Sequence, residues 1–147
     1  MIIYPDTSFI FALWHEGDRN HAAAEKFFRQ HDAAAWVWCD LHEIEVPIAA
    51  QVATHREPQP LLAHIAQKII YRAARAARRG FLLKELPLDA KKFALSLSEK
   101  HGWEKRLTTF DLWHIGAAFE LGCDTFATFD GRQSELARTA KFRVNPI

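Results

Sequence analysis

The sequence predicts an α/β fold, a short parallel sheet with helices on both faces. Three observations lead there. Short apolar runs alternate with segments of helical periodicity along the chain, the pattern of strands joined by crossover helices. The runs are apolar throughout instead of alternating with polar residues, which marks strands buried on both faces. Finally, the chain has 147 residues, of which 49% are hydrophobic and 25% charged. A chain of that size buries about two-thirds of its unfolded surface, enough for one core. No repeat, low-complexity tract or polar linker interrupts it, so we expect one domain over residues 1–147.

The elements follow in order. Met1-Ile2-Ile3-Tyr4-Pro5 is an apolar run stopped by Pro5 and Asp6 and reads as a buried strand, followed by a short, very apolar helix over residues 8–14. Asp18 or Asn20 can cap a second helix, with Ala23, Phe27 and Phe28 at helical spacing. Residues 34–39 form a second buried strand, and Asp40 then reads as the N-cap of a helix to about Thr54, with Pro47 as an internal disturbance. Leu61, Leu62, Ile65, Ile69, Ile70, Ala73 and Ala77 predict one long helix that Gly80 stops. Asp89 starts another helix, ending near Gly102, and residues 110–121 form the next. Residues 125–129 read as a strand bounded by Asp124 and Asp130, residues 132–139 as a last helix, and residues 142–144 as a terminal strand.

Composition excludes several functions. Nineteen basic against eighteen acidic residues leave a net charge of +1, so no whole-molecule field points to nucleic acid or to a membrane surface. No apolar run approaches the ~20 residues of a membrane helix. Cys39 and Cys123 are too few for a disulfide framework or a thiolate zinc site, so we expect a reducing, cytoplasmic setting. Both read as core residues.

Four acids stand at telling places. Asp6 follows the first strand and Asp130 follows the strand at 125–129. Ligands of open parallel sheets bind at the carboxyl ends of strands, where both would sit. Asp111 opens the helix at 110–121, and Glu43 or Glu45 lies in the first turns of the helix after the second strand. Gathered carboxylates raise one another's pKa unless a hard cation neutralises them. The plainer reading leaves Asp6 and Asp130 as turn residues and Asp111 as a helix-terminus acid.

At these residues the chain resembles the PIN domain family, in particular the VapC-type toxins of toxin–antitoxin pairs. Tyr4-Pro5-Asp6-Thr7-Ser8-Phe9 resembles the family's first acidic motif. Leu41-His42-Glu43-Ile44-Glu45-Val46 resembles its second, the run from Phe110 through Asp111 to Ala118 its third, and the run ending Thr128-Phe129-Asp130 its last. The likeness runs in order along nearly the whole chain. It implies a three-layer α/β/α fold and a Mg²⁺- or Mn²⁺-dependent ribonuclease. Asp6, Glu45, Asp111 and Asp130 would then be the metal ligands, with Ser8 steadying the first acid and Thr128, in the Thr-x-Asp ending, a supporting residue. Glu45 fits the motif better than Glu43, and two helical residues two apart cannot face the same way. Many members carry a further acid shortly after the last aspartate, whereas Gly131, Arg132, Gln133 and Ser134 stand here. The resemblance also implies an RNA substrate, a cognate antitoxin protein and a homodimer.

Other residues have two readings. His114 shares a helix face with Asp111 and either supports the site or sits partly buried with one hydrogen bond. Arg132 is placed to guide a phosphate. Lys68, Arg72, Arg75 and Arg79 would form a basic helix stripe, read mainly as a solvated face. Of the five tryptophans, most should be core, and Trp14 would suit a partner groove if exposed. A PIN-like binding module without catalysis is the alternative. A phosphohydrolase using Asp6 as nucleophile ranks last, because Ser8 stands where that chemistry places a second aspartate.

Overall fold

The computed structural model describes residues 1–102 and 106–145. Along the chain it places β1 (Ile2–Pro5), α1 (Thr7–Trp14), α2 (His21–Gln30), β2 (Ala35–Cys39), α3 (Asp40–Ala53) and α4 (Ala63–Ala73). After them come a 3₁₀ turn (Ala76–Arg79), β3 (Phe81–Lys84), α5 (Ala90–Leu97) and a π turn (Ser98–Gly102). The chain then forms α6 (Thr109–Glu120), β4 (Thr125–Ala127), α7 (Gly131–Thr139) and β5 (Arg143–Asn145).

The five strands form one parallel sheet in the order β3-β2-β1-β4-β5. Successive strand residues point to opposite faces, and the packing follows that alternation. Ile3, Trp36, Trp38 and Ala127 join Phe9, Val46 and Ile69 in one core. Tyr4, Val37, Cys39 and Phe126 join Ala90, Ile115 and Leu136 in the other. Both faces of the sheet are therefore covered by helices, the three layers expected. On the second face α6 crosses α5 so closely that a Cβ built at Gly116 would lie 2.4 Å from the Ala90 carbonyl oxygen.

Several sequence expectations need correction. The long helix expected through Ala77 is two pieces: α4 stops at Ala73, and a 3₁₀ turn carries the chain to Gly80, whose φ of +87° makes the turn that a glycine tolerates. The residues after it form β3, a strand the sequence reading did not include. Asp40 is the first residue of α3, not its N-cap, and its carboxylate accepts the Leu86 N–H at 2.5 Å. The basic stripe is interrupted: Arg72 donates to the Trp14 carbonyl at 3.0 Å, and Arg75 lies 3.7 Å over the Tyr71 ring. Trp14 is buried in the first core. Trp113 packs partly buried against the second, and Trp103 lies outside the described residues. Cys39 and Cys123 are buried free thiols, as expected, and burial pushes Cys123 up to about 12.

Candidate active site

The sheet order reverses beside β1: the chain proceeds outward through β2 and β3, then returns to add β4 and β5 on the other side. The carboxyl ends of β1 and β4 thus border the crevice where such sheets bind ligands. Pro5 pairs with Ala127, and the Asp6 N–H donates to the Ala127 carbonyl at 2.9 Å. That register brings Asp6 against Thr128.

Asp6 is the N-cap of α1 and is 2% exposed. Its Oδ1 accepts the Phe9 N–H at 2.8 Å and the Ser8 hydroxyl at 2.7 Å, while Oδ2 accepts the Thr128 hydroxyl at 2.5 Å. Burial pushes this carboxyl up to about 6, against the opposing pull of those hydrogen bonds. Ser8 and Thr128 also organise the last acid: Ser8 Oγ accepts the Phe129 N–H at 2.9 Å and Thr128 Oγ1 accepts the Asp130 N–H at 2.9 Å. Asp130 in turn caps α7, its Oδ1 accepting the N–H groups of Arg132 and Gln133 at 2.8 and 3.1 Å.

Asp111 is held by a capping box at the start of α6, where its Oδ2 accepts the Thr108 N–H at 2.7 Å. Its Oδ1 accepts the Gln133 side-chain amide at 3.1 Å. Gln133 therefore ties Asp111 to the helix that Asp130 caps, while its own Oε1 is buried without a partner.

Glu45 reaches the site from α3. Its Oε2 accepts the Thr7 hydroxyl and the His114 Nε2–H, the latter at 2.6 Å. Burial pushes Glu45 up, but the His114 hydrogen bond and charge and the Thr7 hydroxyl outweigh it, so the carboxyl lies below its usual range. His114 is completely buried, and its Nδ1 lies 2.8 Å from the Tyr4 hydroxyl. The hydroxyl is 3.4 Å from the Cys39 sulfur. His42 closes this buried polar cluster: Nδ1 accepts the Cys39 N–H at 3.0 Å and Nε2–H donates to the Pro5 carbonyl at 2.7 Å. Both bonds fit the neutral ring only, and burial with the neighbouring His114 pushes His42 down to about 3.

These shifts predict an unusual acid profile. His42 is depressed from 6.5, so its stabilisation is present above that pH and is lost as pH falls towards 3. Asp6 is raised from 3.8, so its contribution is lost as pH rises through about 6 and returns as pH falls from 6 to 3.8. The two offset one another between about pH 6 and pH 4. Below that, the losses at His42 and at the depressed Glu45 stand alone. Melting temperature followed by circular dichroism should be nearly level across that window and fall beneath it. A steady fall beginning at pH 6.5 would contradict the assignment.

Of the sequence candidates, Asp6, Ser8, Thr128 and Asp130 form one hydrogen-bonded unit, and Asp111 joins it through Gln133. Glu45 and His114 form a second unit, linked to α1 by Thr7. Arg132 approaches Asp130 Oδ2 at 3.5 Å and the Arg106 carbonyl at 3.4 Å. Glu43 is exposed and lines a separate cleft with Trp38, Pro47 and Ile70. Among the described residues, no three His, Cys, Asp or Glu side chains are grouped closely enough to hold a metal ion. Thr7, Tyr4, His42 and Gln133 were not anticipated. Only Gln133 left a sequence signal, because Asp130-x-x-Gln133 has capping-box spacing.

A family model described as PIN domain matches residues 3–139. No curated protein matches the chain. Among solved structures, Mycobacterium tuberculosis VapC20, titled a sarcin–ricin loop cleaving toxin, is similar with a TM-score of 0.68 and 18% identity, over 90% of this chain and 93% of that one. Rickettsia felis VapBC2 bound to a promoter DNA fragment gives 0.68 at 9% identity, over 99% and 98%. FitAcB from Neisseria gonorrhoeae gives 0.65 at 14% identity, over 99% and 97%.

Proposed function

Because this chain belongs to the PIN domain family, we propose that it is a metal-dependent endoribonuclease, the toxin of a toxin–antitoxin pair, working in the cytoplasm. The observation that carries this reading is the junction of Asp6 and Asp130 through Thr128, with Asp111 tied in by Gln133. Asp6, Asp111 and Asp130, with Glu45, would hold Mg²⁺ or Mn²⁺ once the cation draws them together, since among the described residues they are not grouped closely enough beforehand. Their donors are all carboxylate oxygens, which is what these hard cations select. Both hydrogen bonds to Glu45 fall on Oε2, leaving Oε1 for a ligand. A bound cation would neutralise phosphate charge and make a coordinated water more acidic.

The protein's own residues hold the pieces still. Ser8 and Thr128 orient Asp6, the α7 amides orient Asp130, and Thr108 and Gln133 orient Asp111. His114 and Thr7 keep Glu45 ionised. The likeness to the VapBC2 and FitAcB structures supports an antitoxin partner, and a homodimer is part of the same reading. No helix among the described residues is long and apolar enough to cross a membrane.

The test is cleavage of single-stranded RNA with Mg²⁺ or Mn²⁺, compared with Asp111→Asn. Cleavage by the wild type and its loss in the variant are expected, and equal activity in both would reject the mechanism. A binding measurement runs beside it. Millimolar Mn²⁺ should raise the melting temperature by several degrees, since binding at ~100 times Kd adds about 2.7 kcal/mol. Asp130→Ala should abolish that rise.

The separation of the acids favours a second reading, a PIN domain that binds a partner without cutting RNA. Tight antitoxin binding with no Mn²⁺ effect on melting would select it.

A further inference from the structure

RNA is a polyanion, and the rim described above is a set of carboxylates. With a net charge of +1, the molecule must hold flanking phosphates locally. Arg72 is engaged by the Trp14 carbonyl and Arg75 by the Tyr71 ring, and the cleft that Arg75 borders shares no residue with the acid rim. Arg132 faces the Asp130 carboxylate and a backbone carbonyl.

A second cleft, of about 780 Å³, does share residues with the rim: Thr7, Ser8 and Asp130 are among those that line it. Its volume is within the ~300–1,000 Å³ of ordinary ligand sites. Arg19 and Arg56, both exposed, line it from the loops that follow α1 and α3. Phe11, Phe129, Leu61 and Ile65 supply apolar surface to the same cleft. Phe129 is stacked on Phe9 at 5.9 Å with rings 5° from parallel, so its orientation is fixed from behind. Among the described residues, the one other acid lining the cleft is Asp18, and its carboxylate accepts the Asn20 N–H at 2.7 Å. Two guanidinium groups in one cleft with aromatic and aliphatic surface are what an unpaired strand requires, pairing for phosphates and flat apolar area for bases.

We propose that this cleft is the channel for the single-stranded nucleotides next to the scissile phosphodiester, with Arg19 and Arg56 pairing their phosphates. The proposal rests on the ribonuclease reading, and the experiment separates the two. Binding of a fluorescent 12-nucleotide single-stranded RNA is followed by anisotropy in EDTA, across a salt series. The proteins are wild type, R19A/R56A, and the control R78A/R79A from the exposed 3₁₀ turn. Each phosphate contact to a single strand contributes about 0.7 to the salt slope. R19A/R56A should therefore lower it by about 1.4, with roughly tenfold weaker binding at moderate salt, while the control matches wild type. With Mn²⁺ added, KM should rise and kcat should hold. Wild-type affinity and slope in R19A/R56A, or an equal loss in the control, would overturn the channel. RNA held through both arginines but never cut by the wild type would leave the channel and remove the nuclease reading. If the pair affects only binding of an antitoxin peptide, the cleft belongs to a protein and the proposal falls.

Discussion

Asp6→Asn is expected to reduce RNA cleavage by about 100-fold or more while leaving the melting temperature at pH 7 unchanged or higher. Loss of groups that merely support a metal ligand costs 10–100-fold, so loss of a ligand charge should cost at least the upper value. The stability half of the prediction comes from burial. Raising a carboxyl from 3.8 to about 6 corresponds to roughly 3 kcal/mol working against its ionised form. Asparagine has nearly the same shape and no charge. It retains an acceptor oxygen for the Phe9 N–H and Ser8 hydroxyl, so most of the cap survives. The variant should also lose the level stretch between pH 6 and pH 4, because the His42 loss is no longer offset. Cleavage assays and melting curves on the same preparation check both halves. A variant that is inactive and also strongly destabilised would mean that Asp6 is structural first.

Gly116→Val should lower the melting temperature by roughly 10 °C and abolish cleavage with it. The added Cβ would meet the Ala90 carbonyl oxygen at 2.4 Å and the Ala94 nitrogen at 3.4 Å, both backbone atoms of α5. No rotamer change relieves that contact, so the helices must separate. Overpacking costs about 1–3 kcal/mol, and a domain of this size loses about 2–4 °C for each kcal/mol. Activity follows because α6 carries Asp111 and His114 as well as Gly116. Gly122→Ala is the comparison: its φ of +65° makes the substitution strained, yet nothing crowds the added carbon, so about 1 kcal/mol is expected. Thermal unfolding of both variants tests the ranking, and equal losses would show that the α5–α6 approach is not tight.

Particular residues show what the sequence could reveal. β1 was legible because an apolar run ends abruptly at Pro5-Asp6, and Asp6, Asp111 and Asp130 stood out because each closes a strand or opens a helix. β3 was not, since its apolar residues follow a helical pattern directly. Only Phe81 is buried in it, while Leu82 and Leu83 are exposed on the edge of the sheet, so no two-faced burial signal exists. The end of α4 was missed because Ala77 and its neighbours keep helical spacing through a 3₁₀ turn. Within the site, the supporting groups depend on partners remote in sequence. Thr7 meets Glu45 across 38 positions and Tyr4 meets His114 across 110. Neither residue type nor spacing announces such pairs, and an apolar strand gives no hint that Tyr4 carries a polar contact.

The middle place of β1 in the sheet has a consequence for biosynthesis. In synthesis β1 is followed by β2 after some thirty residues, but its other side stays bare until Thr125–Ala127 emerges. Thr128 arrives with that strand, so Asp6 lacks its Oδ2 donor until then. A nascent or truncated chain ending short of these residues is therefore catalytically harmless under the nuclease reading. It also presents an open sheet edge to chaperones and proteases until Thr125–Ala127 has been made.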